Sequence, residues 1–221
     1  MNNRIRNGIL SAAGSAMFAA ALFWSGIASA DVGVSNLGNA LGDSVSLKSD
    51  DLATSFTTGD YETSLSALSL YFNSSTVSSL TVSIYSDNGG APGSSLYSCT
   101  KSGLSAFSPD TEITFDAFSG NKLLSANTTY WVVVAQADSS HVVFSSSTNQ
   151  TGISNWSIGD SLCYNSGASW TDMTSLLGKA TPIAFEADVT SAVPEPASCA
   201  AAFGLLAIVA VGGRKIAGRR R

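Results

Sequence analysis

From Leu80 to Tyr85 the chain reads Leu-Thr-Val-Ser-Ile-Tyr, apolar at every second residue. That period fits a half-buried β-strand, because successive side chains on a pleated strand point to opposite faces. The same alternation runs through residues 64–72, 112–118, 131–137, 142–146 and 182–188. Between these runs lie Asp87-Asn88-Gly89-Gly90-Ala91-Pro92-Gly93, Ser108-Pro109-Asp110 and Ser119-Gly120-Asn121, each supplying the positive or preset φ that a chain reversal needs. From residue 31 to 188 no segment holds a 3.6-residue period over three turns, and no internal repeat is present. Short strands separated by turn chemistry predict a mainly β fold, a β-sandwich of jelly-roll kind.

The two ends follow other rules. Arg4 and Arg6 precede a largely apolar run from Ile9 to Ile27, and Ala28-Ser29-Ala30 stands before Asp31. A basic start, an apolar middle and a small-residue site make a secretory signal peptide over residues 1–30, cleaved at Ala28 and Ala30. The opposing reading is an uncleaved anchor helix. At the other end Val193-Pro194-Glu195-Pro196 leads into an apolar run from about Ala197 to Gly213, followed by Arg214, Lys215, Arg219, Arg220 and Arg221. The prolines fix φ and lack an amide hydrogen, so they hold an extended strap. The run behind them is at the short limit for a helix crossing a hydrocarbon core roughly 30 Å thick. Basic residues favour the cytoplasmic side, which places everything before the strap outside the inner membrane. Thr190-Ser191-Ala192-Val193 offers no aromatic anchor and reads as a linker.

Pro194, Glu195 and Pro196, the apolar run and the basic terminus together resemble a PEP-CTERM sorting signal of Gram-negative bacteria. The resemblance covers Val193 to Arg221. It implies processing near Pro-Glu-Pro by exosortase, a membrane cysteine peptidase, and delivery to the cell surface or the extracellular matrix, where polysaccharide is a partner to expect. A second resemblance covers roughly residues 50–188. Ala53-Thr54-Ser55-Phe56, residues 82–93, residues 124–131, Trp156-Ser157-Ile158-Gly159 and Trp170 are similar to the choice-of-anchor β-sandwich domains. That likeness implies an exported surface module without an assigned activity.

Setting both ends aside changes the charge. Residues 31–193 hold Lys48, Lys101, Lys122 and Lys179 against fifteen acidic residues, a net −11. Such a domain repels phosphate backbones, so nucleic acid is excluded as a partner. Apolar and aromatic residues spread through the region also argue against disorder and supply a sizeable core.

Candidate chemistry is sparse. Cys99 and Cys163 are the cysteines of the exported region, and an oxidising compartment allows a disulfide between them. Two separate buried thiols fit equally well. Gly159-Asp160-Ser161-Leu162 matches the serine block of GDSL hydrolases, and Asp138-Ser139-Ser140-His141 matches their Asp-x-x-His. In those enzymes the serine precedes the histidine on an α/β fold, and here the order is reversed. Gly42-Asp43-Ser44-Val45 lies upstream but lacks the leucine. An esterase using Ser44 or Ser161 is therefore the least favoured reading. One histidine and no cysteine cluster exclude zinc, and Asp87-Asn88-Gly89 lacks the spacing of a calcium loop. No metal or cofactor is expected. Trp131, Trp156 and Trp170 could stack on sugar rings, while core packing should bury two or three of Tyr130, Trp131, Trp156, Tyr164 and Trp170.

The sequence therefore divides into a signal peptide at 1–30, a β-sandwich at 31–189, a linker at 190–193 and a sorting tail at 194–221 with its membrane helix at about 197–213. The expected function is a non-enzymatic, exported surface or matrix protein. The alternative is a carbohydrate-binding module acting on exopolysaccharide.

Overall fold

The computed structural model describes residues 30–46, 50–72, 79–104, 111–120, 122–135, 141–145, 148–165, 167, 169–173 and 182–191. Pro194, Glu195, Pro196, Ala28 and the segments around them lie outside that set. In chain order the strands are β1 (Ala30–Ser35), β2 (Leu41–Ser46), β3 (Asp51–Thr57), β4 (Thr63–Phe72), β5 (Ser79–Asp87), β6 (Pro92–Ser102) and β7 (Thr111–Phe115). They continue with β8 (Leu123–Leu124), β9 (Thr129–Ala135), β10 (His141–Ser145), β11 (Thr151–Gly152), β12 (Ser157–Asn165), β13 (Trp170–Asp172) and β14 (Phe185–Ser191). No helix occurs among the described residues. The mainly β expectation holds.

Two antiparallel sheets make up the domain. One has the order β11-β1-β14-β4-β10-β2, with β7 and β8 on the other side of β4. The second has the order β13-β12-β3-β9-β5-β6. Their facing sides meet in one apolar core. Phe56 of β3 lies at its centre, with ring centroids 5.9 Å from Tyr130, 6.0 Å from Trp156 and 6.0 Å from Phe185 of the opposite sheet. Leu68, Leu70 and Phe72 alternate inward along β4, and Phe72 meets Phe115 at 6.5 Å. At about 25 cal/mol per Å² of apolar surface, burying such rings is the main source of stability.

Among the buried polar residues, Asn36 is held by hydrogen bonds from both ends of its amide. Asn36 is buried, and its amide donates to the Ile183 carbonyl at 3.1 Å while its oxygen accepts from Phe185 N at 2.8 Å. The side chain thereby extends the β1–β14 pairing by one step where the backbone ladder ends.

The strands named by alternation appear with shifted ends. The run expected at 112–118 pairs only as Thr111–Phe115, although Phe118 still packs into the core. The last strand is displaced further: it spans Phe185–Ser191, so Thr190 and Ser191 belong to the sheet and not to a linker. Thr190 pairs with Ala30 on one side and Ser64 on the other, and Ser191 pairs with Thr63. Backbone hydrogen bonds hold this end, and they need no aromatic anchor.

Candidate functional site

The outer face of the six-stranded sheet is where side chains of functional interest gather. On β9, Trp131 and Val133 point away from the main core, and they form a separate buried cluster with Ala53 of β3 and Cys163 of β12. The register fixes this: Cys163 pairs with Ala53, Ala53 with Val133, and Trp131 with Ser55 and Tyr85, so all lie on one face. Tyr85 and Trp170 close over them, half-buried, with their rings 6.4 Å apart and nearly perpendicular. In the strand order, β13 and β5 are four places apart, which on a flat sheet would separate their backbones by roughly 19 Å. The rings nevertheless meet over Trp131 and Val133.

Trp131 is only 1% exposed, and its indole Nε1 donates to Asp87 Oδ1 at 2.8 Å. The same carboxylate accepts from Gly89 N at 3.1 Å and Gly90 N at 3.2 Å. Gly89 and Gly90 carry φ of 66° and 90°, the left-handed conformation that lets both amides turn back onto one side chain. Asp87 is thus the pivot of the β5–β6 hairpin and the cap of a buried tryptophan. The hairpin reading of this motif holds. No group of three or more His, Cys, Asp or Glu side chains among the described residues is placed to hold a metal ion.

The sugar-stacking assignment has to be corrected for two of its three residues. Trp156 is 3% exposed and stacks flat on Phe56, with interplanar angle 4°, inside the main core. Gly33 and Gly59 make room for it: a Cβ would stand 3.1 Å from the Trp156 ring at Gly33 and 2.8 Å from it at Gly59. Trp131 is enclosed on the opposite face. Neither has a ring face open to a ligand. Trp170 alone of the three stands half-buried. Burial of Tyr130, Trp131 and Trp156 agrees with the expectation that two or three of the five aromatic residues would pack inside.

The disulfide is likewise corrected. Cys99 on β6 faces the core between the sheets, Cys163 on β12 faces the outer cluster, and both are free and buried. Strands β12 and β6 are separated by β3, β9 and β5, whereas a disulfide needs Cα atoms within about 7 Å. Burial, with Asp172's carboxylate adding to it, pushes the Cys163 thiol up to about 11. A thiol held neutral at ordinary pH is a packing group and a poor nucleophile.

The Ser161 block does not meet His141. Ser161 lies on β12 in one sheet and His141 on β10 in the other. Ser44 is on β2, beside β10, with Val143 opposite it and His141 opposite Ser46. Asp138 lies outside the described residues. Two antiparallel sheets are also not the α/β scaffold on which that hydrolase triad is built.

At one end of the eight-stranded sheet the first residue of β1, Ala30, pairs with Thr190 near the end of β14. The segments before residue 30 and after residue 191 therefore depart from neighbouring points. The chain matches no protein-family model and no curated protein.

Sequence reasoning missed the roles of Tyr85 and Asp87. Period-2 parity would have found the first, since residues 85 and 131 share a face once β5 and β9 pair in register. No local pattern announces that a hairpin aspartate reaches a tryptophan 44 positions away in sequence.

Proposed function

We propose that this chain is a non-enzymatic β-sandwich displayed at the cell surface or in the extracellular matrix, with the Pro194-Glu195-Pro196 tail as its sorting and processing signal. The observation that carries the reading is the Ala30–Thr190 pairing. A precursor with a signal peptide before Asp31 and a membrane segment after Pro196 needs both to leave the folded domain toward one bilayer, and adjacent ends on neighbouring strands meet that need without strain. The partners on this reading are the inner membrane and the processing peptidase exosortase, and the host is a Gram-negative bacterium. Burial of Trp131 and Trp156 removes two of the three aromatic faces on which the alternative carbohydrate-binding reading rested.

Cell fractionation with intact-mass measurement tests the reading. In normal cells the mature protein should begin at Asp31 and end near Pro194, and in cells without the peptidase it should keep its basic C-terminus and stay in the inner membrane. Replacing Pro194, Glu195 and Pro196 together by Ala should give the same retained, full-length tail. An unprocessed tail in normal cells would defeat the sorting role.

A further inference from the structure

Among the described residues, the large hydrophobic side chains left exposed are Tyr61, at 63%, and Leu96. Tyr61 sits in the loop that passes from β3 to β4, and that loop is locked to two others. The Thr58 hydroxyl donates to the Ser125 carbonyl at 2.6 Å and accepts from Thr128 N at 2.9 Å. Asn127 N donates to the Gly59 carbonyl at 2.8 Å, and Gly59 is pressed against the edge of Trp156. Asn155 Nδ2 donates to Asp60 Oδ2 at 2.6 Å. The two described non-glycine residues with positive φ, Asn127 at 49° and Asn155 at 69°, stand in these same loops. An aromatic ring is thus held out in water on a platform with little freedom to fold over it.

The residue before Tyr61 in the chain belongs to a polar pair with spare capacity. An asparagine amide carries two N–H donors and one oxygen acceptor, and a carboxylate carries two acceptor oxygens. Asn155 spends one N–H and Asp60 one oxygen on their mutual bond. Both side chains are exposed, and no other bond within the described residues engages them. One donor and two acceptors of this exposed pair are therefore left for a ligand. Vicinal hydroxyls on a pyranose each donate and accept, and the ring's C–H face packs on an aromatic surface. The neighbouring Glu62 is exposed as well. With Asp60 it sets a local negative potential that repels anionic sugars and phosphate headgroups.

We propose that Tyr61, Asp60 and Asn155 form a binding site for a neutral pyranose unit of a polysaccharide. Tyr61 supplies the stacking face, and the Asp60–Asn155 pair reads the hydroxyls. The site is distinct from the tryptophans that sequence alone suggested, and it does not depend on the sorting reading.

The test uses the full chain in detergent micelles on an array of neutral glucose, galactose, mannose and N-acetylglucosamine oligosaccharides, with acidic uronate oligosaccharides alongside. Wild type should be retained by at least one neutral series and by no uronate. Tyr61→Ala and Asp60→Ala should each weaken that retention about tenfold, the equivalent of one lost contact of this kind, while Tyr61→Phe should keep it. Tyr61 makes no side-chain hydrogen bond among the described residues, so the thermal midpoints of Tyr61→Ala and Tyr61→Phe should stay at the wild-type value and certify folding, while Asp60→Ala loses one exposed hydrogen bond and should lower its midpoint only slightly. Absence of binding to every neutral glycan, preference for uronates, or unchanged binding by Tyr61→Ala would overturn the site. None of these outcomes touches the processing of the tail.

Discussion

The two faces of the six-stranded sheet are both buried along β3 and β9, but they are buried in different ways. Residues 52–56 and 130–134 lie inside without a break. On the inner face Phe56, Val132 and Val134 are covered by a second sheet, so each side chain meets layers built from many strands. On the outer face Trp131 and Val133 are covered by a few long side chains, chiefly Tyr85 and Trp170. The first arrangement is a sandwich core and the second a patch held together by aromatic contacts and one carboxylate. A buried residue on the patch should therefore cost less to truncate, because the cavity can collapse or fill with water more readily than one between two sheets.

Denaturant titration of single variants can break that distinction. Phe56→Ala should be the most damaging, at about 4 kcal/mol, since it empties the point where four aromatic rings meet. Trp131→Ala should cost about 3 kcal/mol despite removing the larger side chain. Equal or reversed values would mean that the outer cluster is as much a core as the inner one. Asp87→Ala should cost about 2 kcal/mol, because it leaves a buried indole N–H without an acceptor and loosens the hairpin. Asp87→Asn keeps an acceptor and should cost clearly less.

The two cysteines sharpen the same comparison chemically. Native protein treated with iodoacetamide at pH 8 should take up no label at Cys99 or Cys163, and denatured protein should take up one label at each of these two without any reductant. Label appearing only after reduction would restore the disulfide and place both thiols on one face.

The smallest effect concerns the exposed side of the other sheet. Burial, and then the charge of Glu112, raises Asp188 above its usual value. A carboxyl with a raised folded pKa binds more protons folded than unfolded across that interval, so stability falls as pH climbs through it. Below the unfolded pKa the penalty is absent, and above the folded pKa it is fully present. Asp188→Asn should therefore raise the thermal midpoint slightly at pH 7 and flatten the dependence in mild acid. A lower midpoint at pH 7 would show that the carboxylate is stabilising instead.

The β-class was legible because β5 alternates strictly through Leu80, Val82 and Ile84 and β4 alternates in two stretches, through Leu65 and Ala67 and then through Leu68, Leu70 and Phe72, whereas β9 is a continuous apolar run because both its faces are covered. Strand β6 was not, since Gly93-Ser94-Ser95 and the exposed Leu96 break the period on an edge strand. Strand β12 carries an irregularity that sets four steps, from Ile158 to Leu162, against two on β3, from Phe56 to Thr54, and in the sequence that stretch resembles a serine motif more than a strand. Pairings such as β1 with β14 or β3 with β12 join distant parts of the chain, and no local pattern encodes a partner. The aromatic site failed for a related reason. Parity alone puts Trp131 on the outward face, and only the assembled sheet brings Tyr85, Trp170 and Asp87 around it.

The placement of Asp31 against Val189, at the start of β1 and near the end of β14, also decides how the domain responds to load. Forces drawing the two ends apart would act across the ladder at its last rung and open the pairs one after another, like a zip. A pull on the C-terminal end against drag on the body acts along β14 instead. It meets the bonds to β1 and β4 together, in shear. On the proposed reading, a domain held at a surface by its C-terminal end in flowing water would be loaded in the second, stronger direction.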